Sequence, residues 1–232
     1  MPFSDPLFFS TVLSGKPDDP QKSLGTGFLL RVPLASDAKK FYILLVTARH
    51  IVDPEWAKCG TSNPQIIYAR LNKLDTTGKG ITFIPLPLVQ NAKPVWTHPS
   101  EGMADAAVMV VPDPDATLRG VDAGTIPISD FPTDDEMMAI GVGDQIVSAG
   151  LVPGFSGSNR NRAFFKFGYI SSISDDDIET RCAPQTPYNI RGWFLAANLV
   201  SGNSGSPVFF VPPGGAGVTF GSPVRRTVLL GI

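Results

Sequence analysis

The sequence predicts an all-β protein assembled from short strands. Two observations carry that expectation. There are 23 glycines and 22 prolines among 232 residues, a frequency that stops helices before they grow long. The apolar stretches between these breakers are short and rich in Val, Ile and Phe, as strands require.

Taken in order, residues 8–13 read as a first strand and 15–21 as a polar, Pro-containing loop. Residues 24–32 and 41–47 read as two strands, the second delivering His50 just beyond its end on a helical turn over 48–52 that Asp53-Pro54 terminates. Residues 65–72 and 81–89 continue the pattern, with Pro85 and Pro87 assigning the latter to a sheet edge. Residues 105–111 close the first half. From 112 to 132 the chain is rich in Pro, Asp and Gly without sustained periodicity, which suits a connection between two units. Short β-rich runs return at 145–152, 163–173, 193–200, 208–211 and 227–232.

A net charge of −2 offers no basic field for nucleic acid, and no apolar run approaches the ~20 residues of a membrane span. Leu7 to Leu13 is apolar, but Asp5 precedes it and no Lys or Arg occurs before Lys16, so it lacks the basic start of a signal peptide. Cys59 and Cys182 fall in different halves and are read as a reduced pair, which favours a cytoplasmic location.

Chemistry concentrates in Ser201-Gly202-Asn203-Ser204-Gly205-Ser206-Pro207, which runs into Val208-Phe209-Phe210-Val211. The glycines allow backbone angles closed to other residues and let successive N–H groups converge on one point. Taken alone the string is also a plain turn. A serine nucleophile needs a base, and the base needs an orienting acid. Only two histidines are available. His50 follows Thr47-Ala48-Arg49, and Asp105 opens Asp105-Ala106-Ala107-Val108-Met109-Val110-Val111. Singly, His50 could be a capping or core residue and Asp105 a strand-edge turn residue. His98, in Trp96-Thr97-His98-Pro99, reads as a surface loop residue and is the fallback base. Asp175-Asp176-Asp177 reads as a solvated turn rather than a metal site. Phe164-Phe165-Lys166-Phe167 reads as a core strand, with Arg160 and Arg162 solvated beside it.

Thr47-Ala48-Arg49-His50, Asp105-Ala106-Ala107-Val108 and Gly202-Asn203-Ser204-Gly205, in that order, resemble the three motifs of trypsin-like (chymotrypsin-fold) serine peptidases, and Gly25-Thr26-Gly27-Phe28 adds a fourth match. The order His, Asp, Ser and the presence of Ser206 set the chain apart from α/β-hydrolases. The resemblance implies two six-stranded antiparallel β-barrels, residues 1–115 carrying His50 and Asp105 and residues 116–232 carrying Ser204. It implies a serine endopeptidase acting on a protein or peptide substrate, without cofactor or metal. Catalysis falls to His50, Asp105 and Ser204, the oxyanion hole to the N–H groups of Gly202 and Ser204, and the base of the specificity pocket to Asn198, whose neutral amide favours an uncharged side chain at the cleaved position.

Asn203 stands where many animal relatives carry an acid, and in this the chain resembles HtrA-like and other bacterial members. Ser206 stands where a second glycine is usual. In the family a further strand and a C-terminal helix follow the stretch matching 227–232, so the second barrel is expected to lack its C-terminal strand and helix here, or to be completed by a fused or partner domain. A catalytically silent trypsin-fold binding or scaffold module is the alternative function.

Overall fold

The architecture is that of a computed structural model, which describes residues 11–14, 23–57, 64–74, 80–152, 157, 159–183, 186–199, 202–212 and 226–232. The chain is all-β with three short helices among these residues. In order it runs β1 (Thr11–Ser14), β2 (Ser23–Leu34), β3 (Asp37–Thr47), α1 (Arg49–Val52), β4 (Ile66–Asn72), β5 (Ile81–Pro87), β6 (Val89–Gln90), β7 (Lys93–Pro94), β8 (Trp96–Thr97) and β9 (Ala107–Val110). It continues through α2 (Pro114–Thr117), β10 (Ile126–Pro127), a 3-10 turn (Ile128–Asp130), α3 (Asp134–Ala139), β11 (Gln145–Gly150), β12 (Phe164–Ile173), β13 (Ile178–Ala183), β14 (Thr186–Ile190), β15 (Trp193–Ala197), β16 (Val208–Phe210) and β17 (Val228–Gly231). Residues 8–10 of the expected first strand, and Cys59, lie outside the described residues.

Two sheets organise these strands. The first has the order β5-β4-β1-β2-β3-β9-β8, with β10 added in parallel on β2. Among the described residues β5 ends the row, and Pro85 and Pro87 pair on one side only, with β4. The second sheet has the order β15-β12-β11-β16-β17, with β15 and β17 as its edges among the described residues. Strands β13 and β14 form a separate hairpin.

The central strands read as continuous apolar runs because both of their faces are covered. Leu29 of β2 and Ile43 and Leu45 of β3 enter the core of the first sheet. Their neighbours Phe28, Leu30 and Val46 turn the other way and meet Val147, Ala149, Phe209 and Leu229 in a core shared by the two sheets. Ile146, Val208 and Phe210 face a third cluster inside the second sheet. Burial of a side chain of this size contributes about 1.5–3 kcal/mol, and the shared cluster therefore welds the two sheets together.

The stretch 112–132, read as a connection between two units, contains α2 and β10, and Ile126, 1% exposed, sits in the shared core. Its Pro/Asp/Gly content hid one well-placed apolar residue. Two other readings are corrected. Phe164, Phe165 and Phe167 are not core residues. The alternation of β12 turns Phe165, Phe167 and Tyr169 outward, with Phe167 59% exposed, and puts Gly168 and Ile170 inside. Arg160 is not solvated but paired with Asp122.

Candidate active site

Strand register brings His50 and Asp105 together. Strands β3 and β9 are antiparallel with Thr47 opposite Ala107. His50 lies three residues beyond Thr47 and Asp105 two residues before Ala107, so both emerge at the same end of one strand pair. The single turn of α1 lifts His50 off the sheet. His50 Nδ1–H then donates to Asp105 Oδ2 at 2.7 Å, and the His50 backbone N–H donates to Asp105 Oδ1 at 2.9 Å. One carboxylate thus fixes both the ring and the backbone that carries it. With Nδ1 as the donor, Nε2 of the neutral ring holds the lone pair of a base. Both side chains remain about a quarter exposed, at 23% for His50 and 28% for Asp105.

The loop 202–206 is fastened to the same end of the first sheet. In β2, Gly27 lies opposite Thr47, so Thr26 sits beside the turn into α1. Thr26 N–H donates to the Ser204 carbonyl at 2.8 Å, and Thr26 Oγ1 donates to the Gly202 carbonyl at 2.8 Å. The same hydroxyl accepts the Leu151 N–H at 3.2 Å. Ser206 N–H donates to the Asn203 carbonyl at 2.8 Å. Carbonyls 202, 203 and 204 are therefore all engaged, and the loop backbone is fixed on one side.

Two glycines permit this contact. A Cβ on Gly25 would lie 2.7 Å from the Ser204 carbonyl oxygen and 2.3 Å from Ile51 Cδ1. Gly205 has φ +82°, and a Cβ there would lie 2.2 Å from the Thr26 carbonyl oxygen. Ser206 does not crowd the loop, because it is 3% exposed and its Oγ packs over the bare Cα of Gly150.

His50, Asp105 and Ser204 line one cleft of about 710 Å³. The rest of its lining is mostly apolar and includes Trp193, Leu195, Leu199 and Ile232, together with Arg191. Asn198 is exposed and is not among the described residues lining the cleft. Leu199 N–H donates to the Ala197 carbonyl at 2.8 Å in a tight turn, which presents Leu199 rather than Asn198 to the cleft. His98 stands apart, its Nδ1–H donating to the Pro99 carbonyl at 2.7 Å. Asp175, Asp176 and Asp177 lie on an exposed turn closed by the Asp176 N–H on Ser174 Oγ.

Several residues that shape the site carry no catalytic signature. Arg49 is nearly buried, pairs with Asp53 at 3.1 Å and stacks over Trp56. Trp56 meets Tyr188 of the β13–β14 hairpin edge to face, with centroids 5.6 Å apart. Burial, and then the negative charge of Asp105, push the Tyr188 phenol above its ordinary pKa. The hairpin is thereby packed beside the acid. Among the described residues no helix is long and apolar enough to cross a membrane.

No protein-family model and no curated protein matches the chain. Solved structures do match. The active form of the Rv3671c protease from M. tuberculosis is 14% identical with a TM-score of 0.44, covering 96% of this chain and 75% of that one. Human heparin binding protein is 11% identical with a TM-score of 0.45, covering 99% and 86%. Neuropsin, a serine protease of mouse brain, is 12% identical with a TM-score of 0.42, covering 100% and 92%. The all-β architecture and the geometry of the cleft stand on the chain's own contacts.

Proposed function

We propose that the chain is a serine endopeptidase of the trypsin-like kind, with residues 1–115 supplying His50 and Asp105 and residues 116–232 supplying Ser204. The observation that carries this reading is the double hold of Asp105 on His50, whose ring then keeps Nε2 unprotonated on a residue that lines the same cleft as Ser204. An aspartate that merely capped α1 needs only the backbone bond; the second bond, to Nδ1, orients the imidazole.

In this mechanism Ser204 Oγ attacks the scissile carbonyl carbon as His50 Nε2 takes the hydroxyl proton. The resulting oxyanion is received by the N–H groups of Gly202 and Ser204, each such donor being typically worth ~3 kcal/mol. His50 then protonates the leaving amine and an acyl-enzyme forms on Ser204. Water, deprotonated by His50, then attacks the acyl carbon, and as the bond to Ser204 Oγ breaks His50 returns the proton to that oxygen and the acid product leaves. Asp105 holds the tautomer and stabilises the imidazolium without taking the proton itself. The apolar lining, with Leu199 standing where Asn198 was expected, supports an uncharged side chain at the cleaved position. Asn203, where an acid is common, supports a kinship with HtrA-like and other bacterial members, and reading the two cysteines as a reduced pair supports a cytoplasmic location.

A fluorophosphonate probe tests the reading, because it reports an activated serine without requiring a filled pocket. Labelling of the wild type that disappears in both Ser204→Ala and His50→Ala supports it. A folded wild type that does not label would leave a catalytically silent binding module.

A further inference from the structure

We infer that Lys166 is a positioning residue for the nucleophile loop, acting through Asn203. This inference rests on the reading of Ser204 as the nucleophile. Lys166 belongs to β12, a strand whose Phe165, Phe167 and Tyr169 face outward. Lys166 faces the opposite way, on the side of Gly168 and Ile170, and lies across from Ser148 of β11. An ammonium group on the inner side of a strand costs desolvation and is found there only when it is paired. Its Nζ donates to Asn203 Oδ1, on the residue immediately before Ser204.

Asn203 is itself 7% exposed and sits against β11. A Cβ on Gly150 would fall 2.4 Å from Asn203 Nδ2 and 2.2 Å from Ser206 Oγ, so the back of the loop rests directly on the β11 backbone. The loop is therefore gripped from two directions. Thr26 of the first sheet holds the carbonyls of Gly202 and Ser204, and Lys166 of the second sheet holds the Asn203 side chain between them. A charge-assisted bond at a part-buried position is stronger than one between neutral groups. Burial also lowers the Lys166 pKa, as expected for an ammonium drawn inward to reach this amide. The amide needs a donor, not an ion-pair partner, so this loop is held by a lysine built into the strand.

The test compares Lys166→Met, Lys166→Arg, Asn203→Leu and the double variant Lys166→Met/Asn203→Leu in the full chain. Two readouts are taken: hydrogen exchange of the peptide covering residues 202–207, and the rate of fluorophosphonate labelling. Loss of the bond is expected to speed exchange of that peptide about tenfold and to slow labelling about ten- to hundredfold. Exchange in β2 and β3 is expected to stay unchanged. Lys166→Arg is expected to restore most of both, and the double variant to be no worse than Lys166→Met alone. If Lys166→Met does not fold, Asn203→Leu removes the same bond from the other side. Unchanged exchange at 202–207 in folded Lys166→Met or Asn203→Leu overturns the inference. A wild type that never labels, with exchange that still responds to Lys166→Met, overturns the nucleophile reading and leaves the anchor standing.

Discussion

Thr26 and Ser204, 178 positions apart, are joined across the two sheets: the Thr26 N–H donates to the Ser204 carbonyl at 2.8 Å while the Thr26 hydroxyl holds Gly202 two residues earlier. The loop 202–206 is thus registered on the strand that runs beside β3, and β3 leads to His50. Thr26→Val keeps the β-branched shape but removes the hydroxyl, so the buried Gly202 carbonyl and Leu151 N–H both lose that bond. We expect a loss of about 2 kcal/mol in urea unfolding together with slower probe labelling of Ser204. Labelling at the wild-type rate would separate this contact from the site.

Gly205 offers a sharper test of the same fastening. Its φ of +82° already disfavours a side chain, and an added Cβ would meet the Thr26 carbonyl oxygen at 2.2 Å, Thr47 Oγ1 at 2.6 Å and Ala48 N at 2.8 Å. None of these atoms is the flexible end of a long side chain. Gly205→Ala is expected to cost roughly 2–4 kcal/mol and to abolish labelling. Gly141→Ala, where a Cβ meets nothing within 4 Å, serves as the control and is expected to leave the melting temperature unchanged.

Asp105→Asn tests whether Asp105 orients His50 for the role of base. The amide oxygen can still accept the His50 backbone N–H, so α1 keeps its place, but the amide N–H₂ facing Nδ1 favours the tautomer with its proton on Nε2. We expect labelling to slow by about 10³- to 10⁴-fold with circular dichroism unchanged. A labelling rate within a few-fold of wild type would show that Asp105 only holds the backbone.

The meeting of His50 with Asp105, on a cleft that Ser204 also lines, was anticipated from residue types in recognisable local settings: a strand end, a strand start, a glycine-flanked turn. The strands were legible where breakers bound apolar runs. What escaped depends on contacts between distant segments. Lys166 reads as one letter in a Phe-rich strand, and only the direction of alternation in β12 shows that the phenylalanines lie outside and the lysine inside. The hairpin 178–190 carries no apolar alternation because it lies outside the three hydrophobic cores and packs instead through Tyr188 on Trp56. Counting back from Ser204 pointed to Asn198, but a turn at 197–199 presents Leu199 to the cleft.

The acid stability of the fold provides a test away from the cleft. Arg226, just before the edge strand β17, donates to both oxygens of Glu136 at 2.9 and 2.8 Å and also to the Ser129 and Phe131 carbonyls. It therefore ties the last described strand to the crossover between the sheets. Glu136 closes a capping box with Thr133 at the start of α3. These bonds, that from Arg226 first and that from the Thr133 N–H second, hold the Glu136 carboxyl down to about 2, against an ordinary 4.5. A carboxyl whose pKa is lower in the folded chain stabilises the fold above the unfolded value and loses that contribution as pH falls. The effect is therefore complete above about pH 4.5 and disappears toward pH 2. Because the ion pair is partly solvated, its contribution is expected to be about 1 kcal/mol. Glu136→Gln retains an acceptor for the Thr133 N–H but cannot ionise. The stability difference between wild type and Glu136→Gln, measured by urea unfolding, should be about 1 kcal/mol at pH 7 and shrink steadily below pH 4.5. A difference that is constant from pH 7 to pH 3 would mean that the packing of the side chain, and not its charge, secures β17.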